Sequence, residues 1–249
     1  MSDVLKTRIG SSTAPSFGTW ISSPSLVHLD ALRGLGFDWV MIDTEHAQVN
    51  PETLAAMVAL AGQEGPAPLV RVGDVDQYLI KQALDSGAQG ILVPLVGSAA
   101  QARTSVAYAK YPPEGVRGIA ATAASRYGMD LSGYLRRANA DTLVGVQIET
   151  RDGLANVESI AALEGVDLLF VGPQDLTLNL GLMDERTHPK VREAMRQVVE
   201  ACRRHHKIAG TLVVNREEKQ AALDLGFRFI ALASDVRFVI EGARLFLAK

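Results

Sequence analysis

Short apolar runs recur along the chain, and each is followed by a stretch whose apolar residues have helical spacing. The eight runs are FGTWIS, DWVMID, PLVRV, GILVPLV, LVGVQIE, DLLFVG, IAGTLVV and FRFIALAS. After the second run, an Asn-Pro helix start precedes apolar residues at i, i+3, i+4 and i+7, namely Leu54, Met57, Val58 and Ala61. This alternation predicts parallel strands with helical crossovers. A count of eight predicts a closed (β/α)8 TIM barrel, and a doubly wound open sheet is the alternative.

The pattern predicts a single domain over residues 1–249. Gly87, Gly165 and Gly226 stand where helices should end. One connection, YPPEGVRGIAATAASRYGMDLSGYLRRANAD, is too long for a simple loop and contains one predicted short helix around LSGYLRRAN. Long connections in compact domains tend to form lids or interface segments.

Composition narrows the class of protein. Hydrophobic residues make up 47% of the chain, charged residues 21%, and the net charge is -3 without a basic stripe. Nucleic acid is therefore an unexpected partner. The sequence starts without an apolar signal region, and no apolar run approaches ~18 residues, so we expect no membrane partner. The single cysteine, Cys202, rules out an intramolecular disulfide and has the spacing of a buried helix position. These features predict a cytoplasmic protein.

Polar residues collect where the strands end. In LVGVQIET, alternation places Gln147 and Glu149 on the inward face near the upper end of the strand. Arg71 points inward by the same argument, and Asp43 and Asp175 come at or just beyond strand ends. Enzymes with this fold work at the carboxyl ends of their strands. The predicted mouth of the barrel contains Asp43, Glu45, His46, Arg71, Gln147, Glu149 and Asp175.

Each of these residues also has a structural interpretation. Glu45 could be solvated, Arg71 and Asp43 could form an ion pair, and Glu149 and Asp175 could cap helices. Two inward carboxylates beside an amide form an oxygen-rich site suited to Mg²⁺ or Mn²⁺, and a single imidazole is less suited to zinc. The other histidines are interpreted as structural, namely His28, His188, His205 and His206.

The sequence resembles the HpcH/HpaI family of class II pyruvate aldolases, which includes 4-hydroxy-2-oxoheptanedioate and 2-keto-3-deoxy-glucarate aldolases. The resemblance covers nearly the whole chain in the blocks DWVMIDTEHA, VRVGD, IKQALDSGAQGILVPLV, YPPEGVRG, VQIETRDGLANV and FVGPQDLTLNLG. It implies a (β/α)8 barrel, a divalent metal (Mg²⁺, Mn²⁺ or Co²⁺) and a homohexamer, a trimer of dimers in which the C-terminal helix is exchanged between subunits.

The resemblance also implies roles for individual residues. Glu149 and Asp175 match the metal-binding carboxylates, and Arg71 matches the arginine that contacts the pyruvate oxygen. His46 matches the acid/base histidine, with Asp43 as the acid held near it.

Further roles follow from the same resemblance. Asp85 resembles an aspartate that supports the histidine network, in some cases across a subunit boundary. Ser125 and the backbone from Gly172 to Gln174 match the place where the pyruvate carboxylate binds, and Gln147 matches a supporting amide.

The sequence departs from the family pattern at three places. Ala120 and Gln174 replace residues that are usually Gly and Ala, and ASDVRFV stands where GVDTTLL is usual. Because Gln174 adds bulk and an amide beside the expected carboxylate pocket, these departures bear on the substrate and not on the metal.

The resemblance implies reversible cleavage of 4-hydroxy-2-oxo acids to pyruvate and an aldehyde through a metal-stabilised pyruvate enolate. The residues independently argue against a class I aldolase, because no lysine falls at an inward strand end. Alternatives are a citryl- or malyl-CoA-type lyase on the same barrel and a non-catalytic ketoacid-binding protein. The aldehyde partner is left open among succinic semialdehyde, tartronate semialdehyde, lactaldehyde and glyceraldehyde.

Overall fold

The computed structural model describes residues 4–183 and 185–248. Eight parallel strands follow one another around a closed barrel, and the first pairs with the last. The strands are β1 (Ser16–Ile21), β2 (Trp39–Asp43), β3 (Ala67–Arg71), β4 (Gly90–Val93), β5 (Leu143–Ile148), β6 (Leu168–Val171), β7 (Ile208–Val213) and β8 (Phe229–Ser234). The predicted closed (β/α)8 barrel is therefore confirmed.

The helices surround this barrel. They are α1 (Leu5–Ser11), α2 (Leu26–Arg33), α3 (Pro51–Ala61), α4 (Gln77–Asp85), α5 (Ala99–Ala109), α6 (Leu131–Asp141), α7 (Arg151–Ala155), α8 (Val157–Ala161), α9 (Pro173–Asn179), α10 (Pro189–Arg204), α11 (Arg216–Leu225) and α12 (Asp235–Leu247). A short 3-10 turn, Ala123–Ser125, lies in the long connection before α6.

Alternation along each strand divides the buried residues into two layers. Outward residues such as Val40 and Ile42 join the layer between strands and helices, whereas Trp39 and Met41 fill the barrel interior. Inside, the rings of Trp39 and Phe229 stack with centroids 3.9 Å apart. Gly18 is required here, because a Cβ at this position would lie 2.1 Å from the Trp39 ring. The interior is thus a packed core.

The N-terminal end of the barrel is covered by α1, which the sequence pattern did not predict. The side chain of Leu5 is buried in the interior cluster, and its backbone N–H donates to Gln89 Oε1 at 3.1 Å. Because Gln89 directly precedes β4, this contact lies at the end of the barrel opposite the strand carboxyl ends.

The local signals read from sequence correspond to the observed helix ends at α3, α4 and α11 but not at α8. Asn50 accepts the N–H of Thr53 at 2.9 Å as the cap of α3, whose buried residues are the four predicted ones. Gly87 and Gly226 follow the ends of α4 and α11 with positive φ of 99° and 103°, a conformation that glycine adopts without steric penalty. Gly165, with φ of 86°, lies in a turn four residues beyond the end of α8 at Ala161.

Two details differ from expectation. RDGLANVESIAALEG is the stretch with helical spacing after the fifth apolar run, but the structure divides it into α7 and α8 at Asn156, whose φ and ψ are -99° and 8°. The predicted helix in the long connection is present as α6 and extends to Asp141. None of the described helices combines the length and the apolar character that a bilayer crossing requires. Exchange of α12 between subunits remains a prediction.

Candidate active site

A cavity of about 400 Å³ opens at the carboxyl ends of the strands. This is the end of the barrel where enzymes of this fold place their chemistry. Of the residues predicted from sequence, its wall contains Asp43, His46, Arg71, Gln147, Gly172, Gln174 and Asp175. Glu149 lies directly behind Gln147 and Gly172.

Arg71 is the most constrained cation of the cavity. It is the last residue of β3 and pairs in register with Asp43, the last residue of β2. Its Nε and Nη2 donate to the two Asp43 oxygens at 3.0 and 2.7 Å, and its Nη1 lies 3.0 Å from Glu45 Oε2. Its guanidinium carbon lies 5.3 Å from the centroid of Trp20. Because a guanidinium has five N–H groups, these contacts fix its plane and leave donors for a ligand.

Asp43 also shapes the turn that carries His46. Its Oδ1 accepts the backbone N–H groups of Glu45 and His46 at 3.0 and 3.3 Å. The His46 side chain is 68% exposed, with Nε2 3.7 Å from Glu45 Oε1. Burial raises the pKa of Glu45, and the charge of Arg71 opposes that rise. Asp43 therefore holds the backbone of His46 and leaves its ring facing the open side of the cavity.

Glu149 is a buried carboxylate, and none of the ion pairs among the described residues includes it. Its Oε1 accepts the N–H of Leu95 at 2.9 Å, and its Oε2 accepts Gln147 Nε2 at 2.6 Å. Burial raises the pKa of Glu149 to about 7, with a further contribution from the charge of Asp175. The charge on Glu149 is costly until a cation joins it.

Gly172 leaves room for this carboxylate. A Cβ at Gly172 would lie 2.2 Å from Glu149 Oε2 and 3.1 Å from Gln147 Nε2. Heavy atoms cannot approach so closely, so any side chain here would displace Glu149. The next turn begins α9, which carries Asp175 half-buried in its first turn.

These groups fit a divalent cation with oxygen ligands. Glu149 and Asp175 supply two anionic oxygens, and the buried Oε1 of Gln147 has no hydrogen-bond partner among the described residues. Within residues 4–183 and 185–248, no three His, Cys, Asp or Glu side chains converge as a ready-made metal centre. Mg²⁺ commonly binds one or two carboxylates and completes its shell with water and substrate oxygens, which suits this donor set.

Comparisons with known proteins identify the family of the chain. The family model for HpcH/HpaI aldolase/citrate lyase matches residues 16–242. The chain belongs to this family. It is 37% identical to a 4-hydroxy-2-oxo-heptane-1,7-dioate aldolase of Escherichia coli, over 94% of this chain and 90% of the relative.

Two solved structures of relatives are similar over almost their whole length. A family protein from Burkholderia cenocepacia J2315 is 34% identical, covers 98% of this chain and 97% of its own, and has a TM-score of 0.94. A structure described as citrate synthase SbnG is 28% identical, covers 98% and 96%, and has a TM-score of 0.89.

Two residues that the HpcH/HpaI resemblance implicated lie away from the cavity within one chain. Asp85 ends α4 and pairs with Arg117 Nη2 at 2.7 Å. Ser125 is buried, and its hydroxyl donates to the carbonyl of Thr122 at 3.1 Å in the 3-10 turn that packs against α4. Neither residue is in the cavity wall, so their roles remain predictions that require a second copy of the chain.

Several residues of this candidate site were not found from sequence. Trp20 lies under Arg71, and Leu95, with φ of 53°, directs its N–H at Glu149. Apolar residues at strand ends give no sign of such roles. Arg186 and Arg237 also line the cavity. Arg237 lies in the segment ASDVRFV, which departs from the family pattern. That departure was the sequence signal that could have identified Arg237 as a residue of the cavity.

Three of the four remaining histidines, and the cysteine, make structural contacts. His188 Nδ1 accepts the N–H of Lys190 at the start of α10, and His205 Nε2 lies 3.1 Å from Glu158 Oε2. His28 Nδ1 lies 3.3 Å from Asp235 Oδ2. Burial raises the pKa of the Cys202 thiol to about 12, so this thiol is unreactive near neutral pH.

Proposed function

We propose that this protein is a class II aldolase that reversibly cleaves 4-hydroxy-2-oxo acids to pyruvate and an aldehyde. Membership of the HpcH/HpaI family and the named aldolase relatives support a carbon–carbon lyase. The observation that carries the proposal is the buried Glu149 carboxylate, which has no cation partner among the described residues, beside Asp175 and Arg71 at the mouth of the barrel. A buried carboxylate is costly as an anion, so it either takes up a proton or pairs with a cation, and a bound divalent cation would supply that partner.

Glu149 and Asp175 would hold the cation, with Mg²⁺, Mn²⁺ or Co²⁺ as candidates. When bound, the cation supplies a Lewis acid that withdraws electrons from the 2-oxo group of the substrate. Gln147 would hold Glu149 in place through its Nε2, because that amide donates to Glu149 Oε2 at 2.6 Å. Supporting bonds of this kind orient a metal-binding carboxylate.

Arg71 would stabilise the negative charge that develops on the C2 oxygen as the C3–C4 bond breaks. Its two contacts with Asp43 and one with Glu45 hold the guanidinium before substrate arrives. A donor that needs no reorganisation during the reaction lowers the barrier more than a mobile one. The ion pair with Asp43 therefore helps to hold Arg71 in position for catalysis and does not compete with that role.

His46 would accept the proton of the C4 hydroxyl during cleavage and return it in the addition direction. An imidazole can exchange protons near neutral pH, and the exposed ring of His46 can reach a ligand in the cavity. The backbone from Gly172 to Gln174, at the start of α9, would receive the pyruvate carboxylate. Asp85 and Ser125 keep their assigned roles only if a second subunit completes the site.

A cleavage assay tests the proposal. Purified protein is incubated with a panel of 4-hydroxy-2-oxo acids, and pyruvate is measured. We expect turnover that chelation abolishes and Mg²⁺, Mn²⁺ or Co²⁺ restores. Glu149→Gln and Asp175→Asn should each lose metal binding and turnover by at least about 10²-fold, because a neutral amide is a poor replacement for a hard anionic ligand.

Asp167→Asn is the matched control, since Asp167 pairs with Lys6 outside the cavity. Turnover by Glu149→Gln at the parental rate would show that the metal site is misassigned. Covalent trapping of the protein by borohydride and pyruvate would indicate a Schiff base and contradict the class II mechanism.

A second candidate function follows from the similarity to the structure described as citrate synthase SbnG. The same cavity could perform carbon–carbon bond chemistry on citryl- or malyl-type acids. Turnover of a citryl or malyl thioester, without pyruvate release from any 4-hydroxy-2-oxo acid, would favour this alternative. Ligand binding without any turnover would favour a ketoacid-binding protein. The homohexamer and the cytoplasmic location remain predictions.

A further inference from the structure

The upper end of β8 is irregular, and this irregularity shapes one side of the cavity. Gly18 pairs with Ala231, but Trp20 pairs with Ser234, so β8 uses one more residue than β1 between these points. Ala233 within this bulge has φ of 50°, in the left-handed region. A bulge turns the chain that follows it. Here Ala233, Ser234 and the first turn of α12 become part of the cavity wall.

Arg237 is the charged residue that this turn contributes. It lies in the first turn of α12, where the helix dipole disfavours a cation. Its Nη2 pairs with Glu241 at 2.9 Å, and both side chains are about half exposed, so this pair contributes little to stability. Neither the helix nor the ion pair explains an arginine here, but its place in the cavity wall does.

Arg186 is a second cation of the same wall and comes from the segment between α9 and α10. Its Nη2 lies 3.2 Å from Glu218 Oε2, and its buried Nε has no hydrogen-bond partner among the described residues. Glu218 and Glu241 are outside this cavity wall. The acids inside it, Asp43 and Asp175, are those that the proposed reaction already uses.

We infer that Arg237, assisted by Arg186, selects substrates that carry a carboxylate at the far end of the aldehyde half. The inference rests on the proposed function, which assigns the 2-oxo acid end of the substrate to Glu149, Asp175 and Arg71. The rest of the cavity wall then faces the aldehyde half. Arginine suits this task because its planar fork matches both oxygens of a carboxylate.

Binding of uncleavable acids tests the selection without turnover. The ligands are 2-oxoheptanedioate and 2-oxoheptanoate, which have equal length and differ only in the terminal carboxylate. Both are titrated into the protein with Mg²⁺ by calorimetry. We expect the diacid to bind roughly 10- to 100-fold more tightly, as is typical for a charge-assisted pair. Arg237→Met should remove most of this preference, and Arg237→Lys should retain part of it.

Arg244→Met is the matched control. Arg244 lies on the same helix and contacts the same Glu241 at 2.9 Å, but it is 64% exposed and absent from the cavity wall. The preference for the diacid should persist in this variant. Equal binding of the two acids by the parent protein, or a full diacid preference in Arg237→Met, would overturn the inference.

Cleavage of the corresponding 4-hydroxy acids separates this inference from the proposed function. The ratio of kcat/KM for 4-hydroxy-2-oxoheptanedioate over 4-hydroxy-2-oxoheptanoate should fall roughly 10- to 100-fold in Arg237→Met. An equal loss with both substrates would place Arg237 at the reacting atoms or in the fold and contradict a role in selection. Pyruvate release from both substrates at one rate by the parent protein would support the proposed function and reject the inference.

Discussion

The two ends of the barrel each bury a charged group, Lys110 at the N-terminal end and Glu149 at the mouth, but only Glu149 lies among the acids and the arginine of the candidate site. At the N-terminal end, Lys110 Nζ donates to the carbonyls of Asn139 and Thr142. Lys6 pairs with Asp167 at 3.0 Å, and Asp167 Oδ2 accepts the N–H of Val144 at 2.9 Å. At the mouth, Glu149 receives two hydrogen bonds and no cation among the described residues.

This difference between the two ends indicates that Lys110 serves the stability of the fold and Glu149 serves its function. Burial lowers the pKa of Lys110 to about 8, with a further contribution from Lys6. Such a depressed value is a feature of Schiff-base lysines. However, its Nζ contacts the carbonyl just before β5 begins, at the end of the barrel opposite the cavity. A perturbed pKa alone would have selected both groups. Glu149 lies directly behind the wall of the cavity at the mouth, whereas Lys110 is absent from the lining of the cavity that Lys6 and Asp167 help to form at the opposite end.

The largest expected effect comes from Arg71→Lys. A lysine keeps the charge but loses the planar fork that contacts both Asp43 and Glu45. We expect kcat to fall by roughly 10²–10³, about 3–4 kcal/mol, as for loss of an oxyanion donor. The free energy of unfolding should also fall, by about 1–2 kcal/mol. Loss of stability with kcat unchanged would reduce Arg71 to a structural residue.

Gly172→Ala should act through Glu149. The added Cβ would lie 2.2 Å from Glu149 Oε2 and push the carboxylate from its position. We expect metal affinity to fall by roughly 10- to 100-fold, in the range seen when the supports of a metal ligand are lost. Gly242→Ala is the control, because no heavy atom lies within 4 Å of a Cβ there. Parental Mn²⁺ affinity in Gly172→Ala would place the metal elsewhere.

Metal affinity should depend on pH through Glu149. Its pKa in the metal-free protein is raised to about 7, so metal must displace a proton below that pH. Affinity should therefore fall about tenfold between pH 8 and pH 6, with close to one proton released per metal at pH 6. Calorimetry in buffers of different ionisation enthalpy measures this release. A pH-independent affinity would mean that Glu149 does not bind the metal.

The same pKa has a consequence for stability, with the opposite sign to that of a paired carboxylate. Because the folded pKa lies above the ordinary value of 4.5, the folded metal-free protein binds this proton more tightly than the unfolded chain. This contribution should stabilise the metal-free protein as pH falls from about 7 towards 4.5. Denaturant titrations of the parent protein and of Glu149→Gln at several pH values separate the contribution of Glu149 to the free energy of unfolding from that of other groups.

The smallest effect is expected at the N-terminal end. Asp167→Asn removes the ion pair with Lys6 and weakens the bond from the Val144 N–H. We expect the free energy of unfolding to fall by about 1 kcal/mol, with kcat and metal affinity unchanged. A loss of activity at parental stability would show that the two ends of the barrel are coupled.

The fold could be predicted because its signals are local and repeat. Asn50 with Pro51 starts α3, and Gly87 and Gly226 mark the ends of α4 and α11, which depend on a few neighbouring residues. The division between α7 and α8 was missed. Asn156, where the helix divides, donates through Nδ2 to the Gly97 carbonyl at 2.8 Å, which is a long-range contact that a helical pattern does not reveal.

The candidate site was predicted as far as alternation and strand ends define it. Arg71, Asp43 and Gln147 are in the cavity wall, as their inward positions required. Whether Glu45 is solvated was left open, because the sequence does not show that Arg71 contacts its carboxylate. Trp20 joins the site through its packing against Arg71, Arg186 through a loop, and Arg237 through the bulge in β8. None of these features produces a periodic pattern in the sequence.

The filled interior of the barrel bears on the order in which products leave. The stacked rings of Trp39 and Phe229, together with Leu5, occupy the space below the cavity, so ligands exchange through the mouth. Glu149, at the floor, is 2% exposed, whereas the Arg237 side chain near the entrance is 46% exposed. We therefore expect the aldehyde to depart before pyruvate. In steady-state measurements pyruvate should then inhibit competitively against the substrate, and the aldehyde should inhibit noncompetitively.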